Sequence, residues 1–311
     1  MKYFIGVLGL MIVLALALYG CGGTANPGAK GPVSVSSKAD TEGALLSQII
    51  TQMLEDNGFQ VEMKPSIAGT SLIRQALLSG NIDIYPEYTG NGAVFFPEAD
   101  PGVWKDAQQG YERVKALDKE TNAVVWLEPA PANNTWAIAI PKSLAESENM
   151  ESLADFAAYV NGGGYVKLAG SEEFITSEVA LPAFEEAYGF DLRQEQLVVL
   201  AGGNTAQTEK AAAEGTDGVN AAMAYGTDGS LSALNLIVLS DPKGVQPVYE
   251  PAPIVRGVVF DKYPELATIL DPVFGSLTLE TLQTLNGKIA VQGQKPVDVA
   301  TDYLKSKGFL K

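Results

Sequence analysis

The sequence predicts an α/β protein of two lobes, each a sheet flanked by helices, joined by two crossings of the chain. Two observations support this fold class. From residue 33 onward, short apolar runs alternate with amphipathic stretches, which is the pattern of strands and helices in α/β folds. The 291 residues from Cys21 onward are also close to the size limit of a single hydrophobic core, so two compact units are expected.

Two segments rich in backbone-breaking residues are the predicted crossings. They are the Pro/Asn-rich 129–134 and the Pro/Gly-rich 241–247. Because a chain that crosses twice returns to its first unit, both ends belong to the same lobe. Lobe 1 therefore comprises residues 33–133 and 247–311, and lobe 2 with its hinge comprises 134–246. This organisation is typical of a hinged clamp.

The spacing of apolar residues predicts the individual elements. In the first half, a helix over 45–54 ends at Gly58, and the next helix has Thr70 or Ser71 as its N-cap. The other predicted helices lie at 104–117, 152–160, 176–188 and 205–214, and two more close the chain. Strands are predicted at 33–35, 59–63, 82–85, 123–127, 135–140, 165–169, 197–200, 219–224, 236–239 and 254–260.

The N-terminal segment has the features of a secretory signal peptide, which we assign to residues 1–20. Lys2 is its one charge, and an apolar run over 3–19 follows it. The alternative is an uncleaved membrane anchor, because a run of this length can just span a bilayer. Either interpretation puts the bulk of the chain outside the cytoplasm, in the periplasm or at the outer face of the cell membrane.

The residues around the predicted cleavage point resemble a bacterial lipobox. Leu18 and Gly20 precede Cys21, which would then carry a lipid anchor. Residues 21–32 are rich in Gly and Pro and are predicted to form a flexible tether. We therefore expect a protein that touches the membrane only through the lipid on Cys21.

The composition excludes several classes of function. The chain has no histidine and one cysteine, so it lacks the residues for a Ser–His–Asp or Cys–His catalytic site, a histidine-ligated metal or an internal disulfide. With 21 Lys+Arg against 37 Asp+Glu, its net charge of −16 opposes binding to the phosphate backbone of a nucleic acid. Chemistry by carboxylates, lysine or tyrosine stays open at this point, but nothing in the composition calls for an enzyme, and we expect no cofactor and no metal.

Four aromatic residues lie beside small or polar residues at predicted junctions between a strand and a loop: Tyr88, Trp136, Tyr225 and Tyr249. Any one of them alone is more often part of a core. However, ligand crevices of α/β folds lie at the carboxyl ends of strands, and two of these junctions adjoin the predicted crossings. This favours a shared aromatic box. Such rings suit a quaternary ammonium, which has no N–H to donate, and each desolvated ring contributes ~1–2 kcal/mol.

Lys38 is the best basic candidate in the first lobe for binding a carboxylate of the ligand. It lies between the first predicted strand and the first predicted helix. The alternative is an ordinary solvated lysine at the surface.

Several motifs together resemble one family. They are Ser37-Lys38 with Thr41-Glu42, Gly69-Thr70-Ser71 with Arg74-Gln75-Ala76-Leu77, Ile84-Tyr85-Pro86-Glu87-Tyr88-Thr89-Gly90, Asn133-Asn134-Thr135-Trp136 and Ala224-Tyr225-Gly226-Thr227-Asp228-Gly229. With them the sequence is similar to the osmoprotectant-binding proteins of bacterial ABC importers, of the glycine betaine/choline/carnitine type. The resemblance implies a type II periplasmic-binding-protein clamp and a membrane permease as partner. It agrees with the two lobes and two crossings expected above.

The resemblance also implies roles for individual residues. The aromatic box of the family matches Tyr88, Trp136 (usually Tyr), Tyr225 and Tyr249. The carboxylate-binding lysine of the family matches Lys38.

The sequence departs from the family at three of the expected ligand-binding positions. Ser177 stands where an arginine usually binds the ligand's carboxylate, Asn91 replaces a common Thr and Asn134 a common Asp. Loss of a guanidinium–carboxylate contact removes about 1.5–3 kcal/mol. This change favours weak betaine binding, or a ligand that lacks the carboxylate, such as choline.

The sequence therefore predicts the monomeric solute-binding component of an ABC importer, which closes around a quaternary-ammonium osmoprotectant and delivers it to the permease. A second hypothesis keeps the fold but changes the ligand to an amino acid or another zwitterion. A third, an extracytoplasmic enzyme that uses carboxylates, has little support because no spaced acid/base pair is present. A role in binding nucleic acid is excluded by the charge.

Overall fold

The computed structural model describes residues 30–97, 101–200 and 205–310, which form two five-stranded sheets packed against helices. The predicted signal peptide at 1–20 and Cys21 lie outside the described residues. The strands are β1 (Lys30–Val35), β2 (Phe59–Met63), β3 (Ile84–Tyr88), β4 (Val124–Trp126), β5 (Trp136–Pro141), β6 (Leu168–Gly170), β7 (Leu197–Val199), β8 (Ala221–Tyr225), β9 (Leu236–Val238) and β10 (Pro251–Arg256).

Helices connect these strands throughout the described part of the chain. They are α1 (Thr41–Asp56), α2 (Thr70–Leu78), α3 (Gly92–Phe95), α4 (Ala107–Asn122), α5 (Lys142–Glu148), α6 (Leu153–Asn161), α7 (Glu172–Thr176), α8 (Leu181–Tyr188), α9 (Thr205–Glu214), α10 (Ser230–Ala233), α11 (Gly257–Lys262), α12 (Glu265–Phe274), α13 (Leu279–Ala290) and α14 (Pro296–Ser306). Within the three described ranges, none of these helices is long and apolar enough to cross a membrane.

The first sheet contains the strands from both ends of the described chain, in the order β2-β1-β3-β10-β4. β1 pairs in parallel with β2 and β3, whereas β10 is antiparallel to β3 and β4. The tether predicted at 21–32 extends too far, because Lys30 already pairs with Phe59 and the Gly31 amide donates a hydrogen bond to the Tyr263 hydroxyl at 2.9 Å. The strand predicted at 33–35 therefore begins three residues earlier.

The second sheet contains the middle of the chain, in the order β7-β6-β8-β5-β9. β6 pairs in parallel with β7 and β8, and β5 is antiparallel to β8 and β9. The two sheets thus have the same arrangement. In each, the fourth strand in the order, β10 or β5, lies between the third strand and an edge strand and is antiparallel to both. Each sheet adjoins two hydrophobic clusters. Those of the first sheet contain residues of α1, α12, α13 and α14 and of α2 and α4, and those of the second contain residues of α6 and α8 and of α9 and α10.

The chain passes between the sheets twice, over residues 127–135 and 239–250. These passages contain the crossing points predicted at 129–134 and 241–247. They bind each other, since the Tyr249 amide donates to Asn133 Oδ1 at 2.8 Å and the Asn134 amide donates to the Tyr249 carbonyl at 2.9 Å. These hydrogen bonds therefore hold the segment before β5 next to the segment before β10.

Helix starts agree only in part with the expected caps. Asp40 is the N-cap of α1, where it accepts a hydrogen bond from the Gly43 amide at 2.6 Å. The N-cap of α2 is Gly69, not Thr70 or Ser71. Its φ of 90° lies in the region that favours glycine, and no side chain caps this helix.

Three of the predicted elements are wrong in part. The strand expected over 254–260 ends at Arg256, which pairs with Val124, the first residue of the antiparallel strand β4, and α11 follows from Gly257. The helix expected over 176–188 begins only at Leu181, because Thr176 is the last residue of a separate helix, α7, and Ser177 after it is not helical, with φ −71° and ψ 127°. Strand β3 also extends to Tyr88, beyond the predicted end at residue 85.

Candidate functional site

A cavity of about 910 Å³ lies between the two sheets. Seven of the eight predicted ligand-binding residues line it. They are Lys38, Tyr88, Asn91, Asn134, Trp136, Tyr225 and Tyr249. Residues from both sheets and from both crossings therefore meet in one hollow.

Tyr88 is the last residue of β3 and is 7% exposed. Its hydroxyl donates a hydrogen bond to Glu42 Oε1 at 2.8 Å. Burial, with the nearby Glu42 carboxyl as a second cause, raises the pKa of Tyr88 well above its usual value, so the phenol is neutral. The ring is therefore held in place by a buried hydrogen bond at one edge of the cavity.

Trp136 and Tyr225 form a pair of rings on the second sheet. They are register partners, Trp136 at the start of β5 and Tyr225 at the end of β8. Their ring centroids are 6.4 Å apart with the planes inclined by 21°, and Trp136 Nε1 donates to the Tyr225 hydroxyl at 2.9 Å. Cross-strand pairing thus fixes two neighbouring aromatic faces without the help of a ligand.

Tyr249, from the second crossing, lies directly on Gly90. A Cβ atom at position 90 would be 2.7 Å from the Tyr249 ring, which is closer than real Cβ contacts. The absence of a side chain at Gly90 therefore lets the ring approach the end of β3. Burial raises the pKa of Tyr249, so this ring is also neutral.

Lys38 is not the solvated lysine of the alternative interpretation. Its Nζ is 2.5 Å from Oε1 of the fully buried Glu87 and 4.8 Å from the centroid of the Tyr88 ring. Glu87 also accepts hydrogen bonds from the Tyr85 hydroxyl at 2.8 Å and from Asn91 Nδ2 at 2.6 Å. Since an ammonium has three donors, Lys38 can reach a ligand while it stays paired with Glu87.

Asn91, which was predicted to bind the ligand, contacts a carboxylate of the protein in this structure. Its amide binds Glu87 and so takes part in fixing Lys38. Asn134 donates from Nδ2 to Glu42 Oε1 at 3.2 Å, while its Oδ1 is buried and has no hydrogen-bond partner among the described residues. Both asparagines therefore order charged side chains of the cavity.

Ser177 is the predicted site residue that the structure leaves outside the cavity. It ends α7, and its amide donates to the carbonyl of Glu173 at 2.9 Å. The exposed Glu173, one turn earlier in the same helix, lines the cavity instead. The family resemblance implied the Ser177 hydroxyl at this part of the cavity wall, in place of an arginine. The structure has the carboxylate of Glu173 there.

Four acidic groups and two amides that line the cavity were not predicted from the sequence: Asp40, Glu42, Glu173 and Asp228, and Gln246 and Asn286. Glu42 is part of a motif quoted above, but nothing in its spacing indicated a site. Burial raises the pKa of Glu42 to about 7. Burial also raises the pKa of Asp228, whose Oδ2 accepts a hydrogen bond from the Tyr225 amide at 2.7 Å. Among the cavity-lining residues that the structure describes, Lys38 is the one basic group.

Comparison with known proteins shows which family the chain is part of. The family described as the substrate-binding domain of ABC-type glycine betaine transport systems matches residues 31–306. The chain belongs to this family. It is thus a substrate-binding protein for transport, and such proteins of ABC importers act outside the cytoplasm. The resemblance stated from the motifs is confirmed.

Individual relatives agree with this assignment. The chain is 58% identical over 283 residues to the glycine betaine-binding protein YehZ of Escherichia coli (strain K12), covering 91% of this chain and 93% of that one. It is 33% identical over 282 residues to a glycine-betaine-binding protein of Pseudomonas aeruginosa, covering 89% and 88%. A solved structure of apo YehZ superposes with a TM-score of 0.83 at 57% identity, covering 90% of this chain and all of the other. The predicted α/β clamp of type II is therefore confirmed.

Proposed function

We propose that the protein captures a quaternary-ammonium osmoprotectant, with glycine betaine as the leading candidate, between its two sheets. The observation that carries this proposal is the convergence of Tyr88, Trp136, Tyr225 and Tyr249 on one cavity. A trimethylammonium group offers no N–H, so it binds through charge–quadrupole attraction and apolar contact with ring faces. Family membership and the printed names of the two relatives point to the same ligand class.

The carboxylate of glycine betaine would have Lys38 as its basic partner. This ammonium is shared with Glu87, and the family's second basic contact is replaced by a wall that carries Glu173. A shared ammonium offers less than a bidentate guanidinium contact. We therefore expect betaine to bind weakly for this fold and choline, which lacks the carboxylate, to compete with it.

Closure of the two lobes at the paired crossings completes the proposed mechanism. Capture would shift a population of open clamps towards closed ones, and the permease would read the closed form. We further propose that the mature protein is a monomer, anchored outside the cytoplasm through a lipid on Cys21. The lipobox-like residues before Cys21 support the anchor.

An amino acid or another zwitterion with free N–H groups is the second candidate ligand. It is favoured by two buried acceptors in the cavity wall, Asn134 Oδ1 and Asn286 Oδ1, which have no hydrogen-bond partner among the described residues. An ammonium with N–H donors could satisfy them, whereas a trimethylammonium could not. Catalysis has no comparable support, and no group of three potential metal ligands occurs in the described part of the chain.

Isothermal titration calorimetry of the mature protein tests the ligand class. Glycine betaine, choline, carnitine and proline betaine are each titrated, and alanine and glycine serve as ligands with N–H donors. Tyr88→Ala and Trp136→Ala should each weaken binding by roughly five- to thirtyfold, the loss of one desolvated ring contact. Tyr165→Ala is the matched control, because Tyr165 is 60% exposed and does not line the cavity. Binding of none of the quaternary ammonium compounds, or unchanged affinity in both cavity variants, would overturn the proposal.

A further inference from the structure

The cavity wall contains a buried carboxylate, that of Glu42, to which the family motifs assign no role. Glu42, in the first turn of α1, is 5% exposed and lines the cavity. It is bound only by uncharged donors. Oε1 accepts from the Tyr88 hydroxyl at 2.8 Å and from Asn134 Nδ2 at 3.2 Å, and Oε2 accepts from Asn286 Nδ2 at 2.7 Å. These donors come from β3, the first crossing and α13, so the carboxylate is fixed from three sides.

The charged groups near Glu42 do not compensate a negative charge on its carboxyl. Asp40, the N-cap of the same helix, is the nearby acidic group and opposes ionisation, and the facing Tyr88 is neutral. The ammonium of Lys38 lies over the Tyr88 ring but is paired with Glu87. The partners from α13 and from the loop after β8, Asn286 and Thr227, are uncharged. No lysine or arginine of the described residues forms an ion pair with Glu42.

We propose that Glu42 is a further ligand-recognition residue, which supplies the counter-charge for the ammonium of the ligand and releases its proton to solvent when the ammonium enters. This inference rests on the proposed function. It assigns the selection for positive charge to a carboxylate, in addition to the ring faces. The step is balanced: the carboxylic acid loses one proton to bulk water, and the resulting carboxylate faces the fixed positive charge.

The energetics of burial give the proton release its direction. Desolvation raises the pKa of Glu42 to about 7, against the opposing effect of hydrogen bonds from Thr227, Tyr88 and Asn286. In the empty cavity the carboxyl is therefore partly protonated near neutral pH. A cation a few ångströms away favours the ionised form and lowers the pKa again. Affinity for the ligand should then rise with pH through the neutral range and level off at alkaline pH, where the empty site is already ionised.

The test compares pairs of ligands that have the same shape but differ in charge. Choline is paired with 3,3-dimethylbutan-1-ol, and glycine betaine with 3,3-dimethylbutanoate, in which a carbon replaces the ammonium nitrogen. Glu42→Gln keeps the size of the side chain and removes its charge. It should reduce the preference for the charged member of a pair by at least about tenfold. Glu55→Gln is the matched control, because Glu55 lies on the same helix, α1, but is exposed to water and does not line the cavity, and it should leave the preference within about twofold.

Calorimetry in two buffers of different ionisation enthalpy, at pH close to 7, counts the protons released on binding. The wild-type protein should release a measurable fraction of one proton per ligand, Glu42→Asp should retain this release, and Glu42→Gln should abolish it. If Glu42→Gln does not fold, the release by the wild-type protein decides on its own. Binding of either ammonium ligand without proton release would overturn the role of Glu42 and leave the proposed function intact. Binding of neither ligand would instead overturn the proposed function.

Discussion

The contact between Gly90 and the Tyr249 ring allows the aromatic box to be tested without removing a ring. In Gly90→Ala the new Cβ would lie 2.7 to 2.8 Å from three atoms of that ring. The backbone itself tolerates alanine, because Gly90 is in a 3-10 turn with ordinary negative φ. The ring must therefore move away from the end of β3, into or out of the cavity.

The magnitude of this effect follows from the contacts that are lost. Displacing one ring from the ammonium costs about 1–2 kcal/mol, which is roughly five- to thirtyfold in affinity for glycine betaine. Overpacking costs about 1–3 kcal/mol of the free energy of unfolding. Calorimetry gives the first quantity and chemical denaturation the second.

A double-mutant cycle makes the reasoning refutable. If Gly90→Ala acts through Tyr249, it should have almost no further effect on ligand affinity in the Tyr249→Ala background. Losses of affinity that add in the double variant would show that Gly90 acts by another route. Unchanged affinity in Gly90→Ala, together with a clear loss in Tyr249→Ala, would refute the claim that the position of the ring matters.

Three further predictions concern the charges of the molecule. Lys38→Gln keeps an N–H for Glu87 but removes the ammonium, so calorimetry should show a loss of roughly tenfold or more for glycine betaine and little change for choline. For the unliganded protein, ionisation of Glu42 should lower the free energy of unfolding by about 3 kcal/mol as the pH rises from 4.5 to above 7, because the unfolded chain ionises Glu42 at 4.5 and the folded chain at about 7. Chemical denaturation of Glu42→Gln should lack this part of the pH dependence, while other buried carboxyls such as Glu209, whose pKa burial raises to about 9, keep theirs. Arg74→Met leaves the buried Asp118 without its cation and should cost about 3–5 kcal/mol in chemical denaturation, with unchanged ligand affinity because Arg74 does not line the cavity.

Local periodicity was sufficient to predict most of the fold. The alternation of apolar runs and amphipathic stretches gave the α/β class, and the breaks at 129–134 and 241–247 lie in the two passages between the sheets. The errors arise where tertiary contacts decide. β10 stops at Arg256, opposite the first residue of the antiparallel strand β4, because no paired residue of β4 lies beyond it, although the apolar residues continue. Such a limit depends on a partner strand about 130 residues away, which periodicity does not contain.

The candidate site divides in the same way. The four aromatic residues could be predicted because each stands at a recognisable junction between strand and loop. Glu42 could not, because its surroundings are made by Asn286, 244 residues later in the chain. Nor could the sequence show that Glu87 would form an ion pair with Lys38, or that Ser177 would lie outside the cavity. Electrostatic partners are a property of the assembled cavity, so they appear only once the sheets are in place.

A crystal structure of the protein with glycine betaine would show whether the four rings and Glu42 hold the ammonium. We expect the trimethylammonium nitrogen to lie within about 6 Å of the ring centroids of at least three of Tyr88, Trp136, Tyr225 and Tyr249, with the Glu42 carboxylate beside it. A ligand bound elsewhere, or an ammonium that faces neither rings nor Glu42 while its carboxylate occupies the cavity, would contradict it.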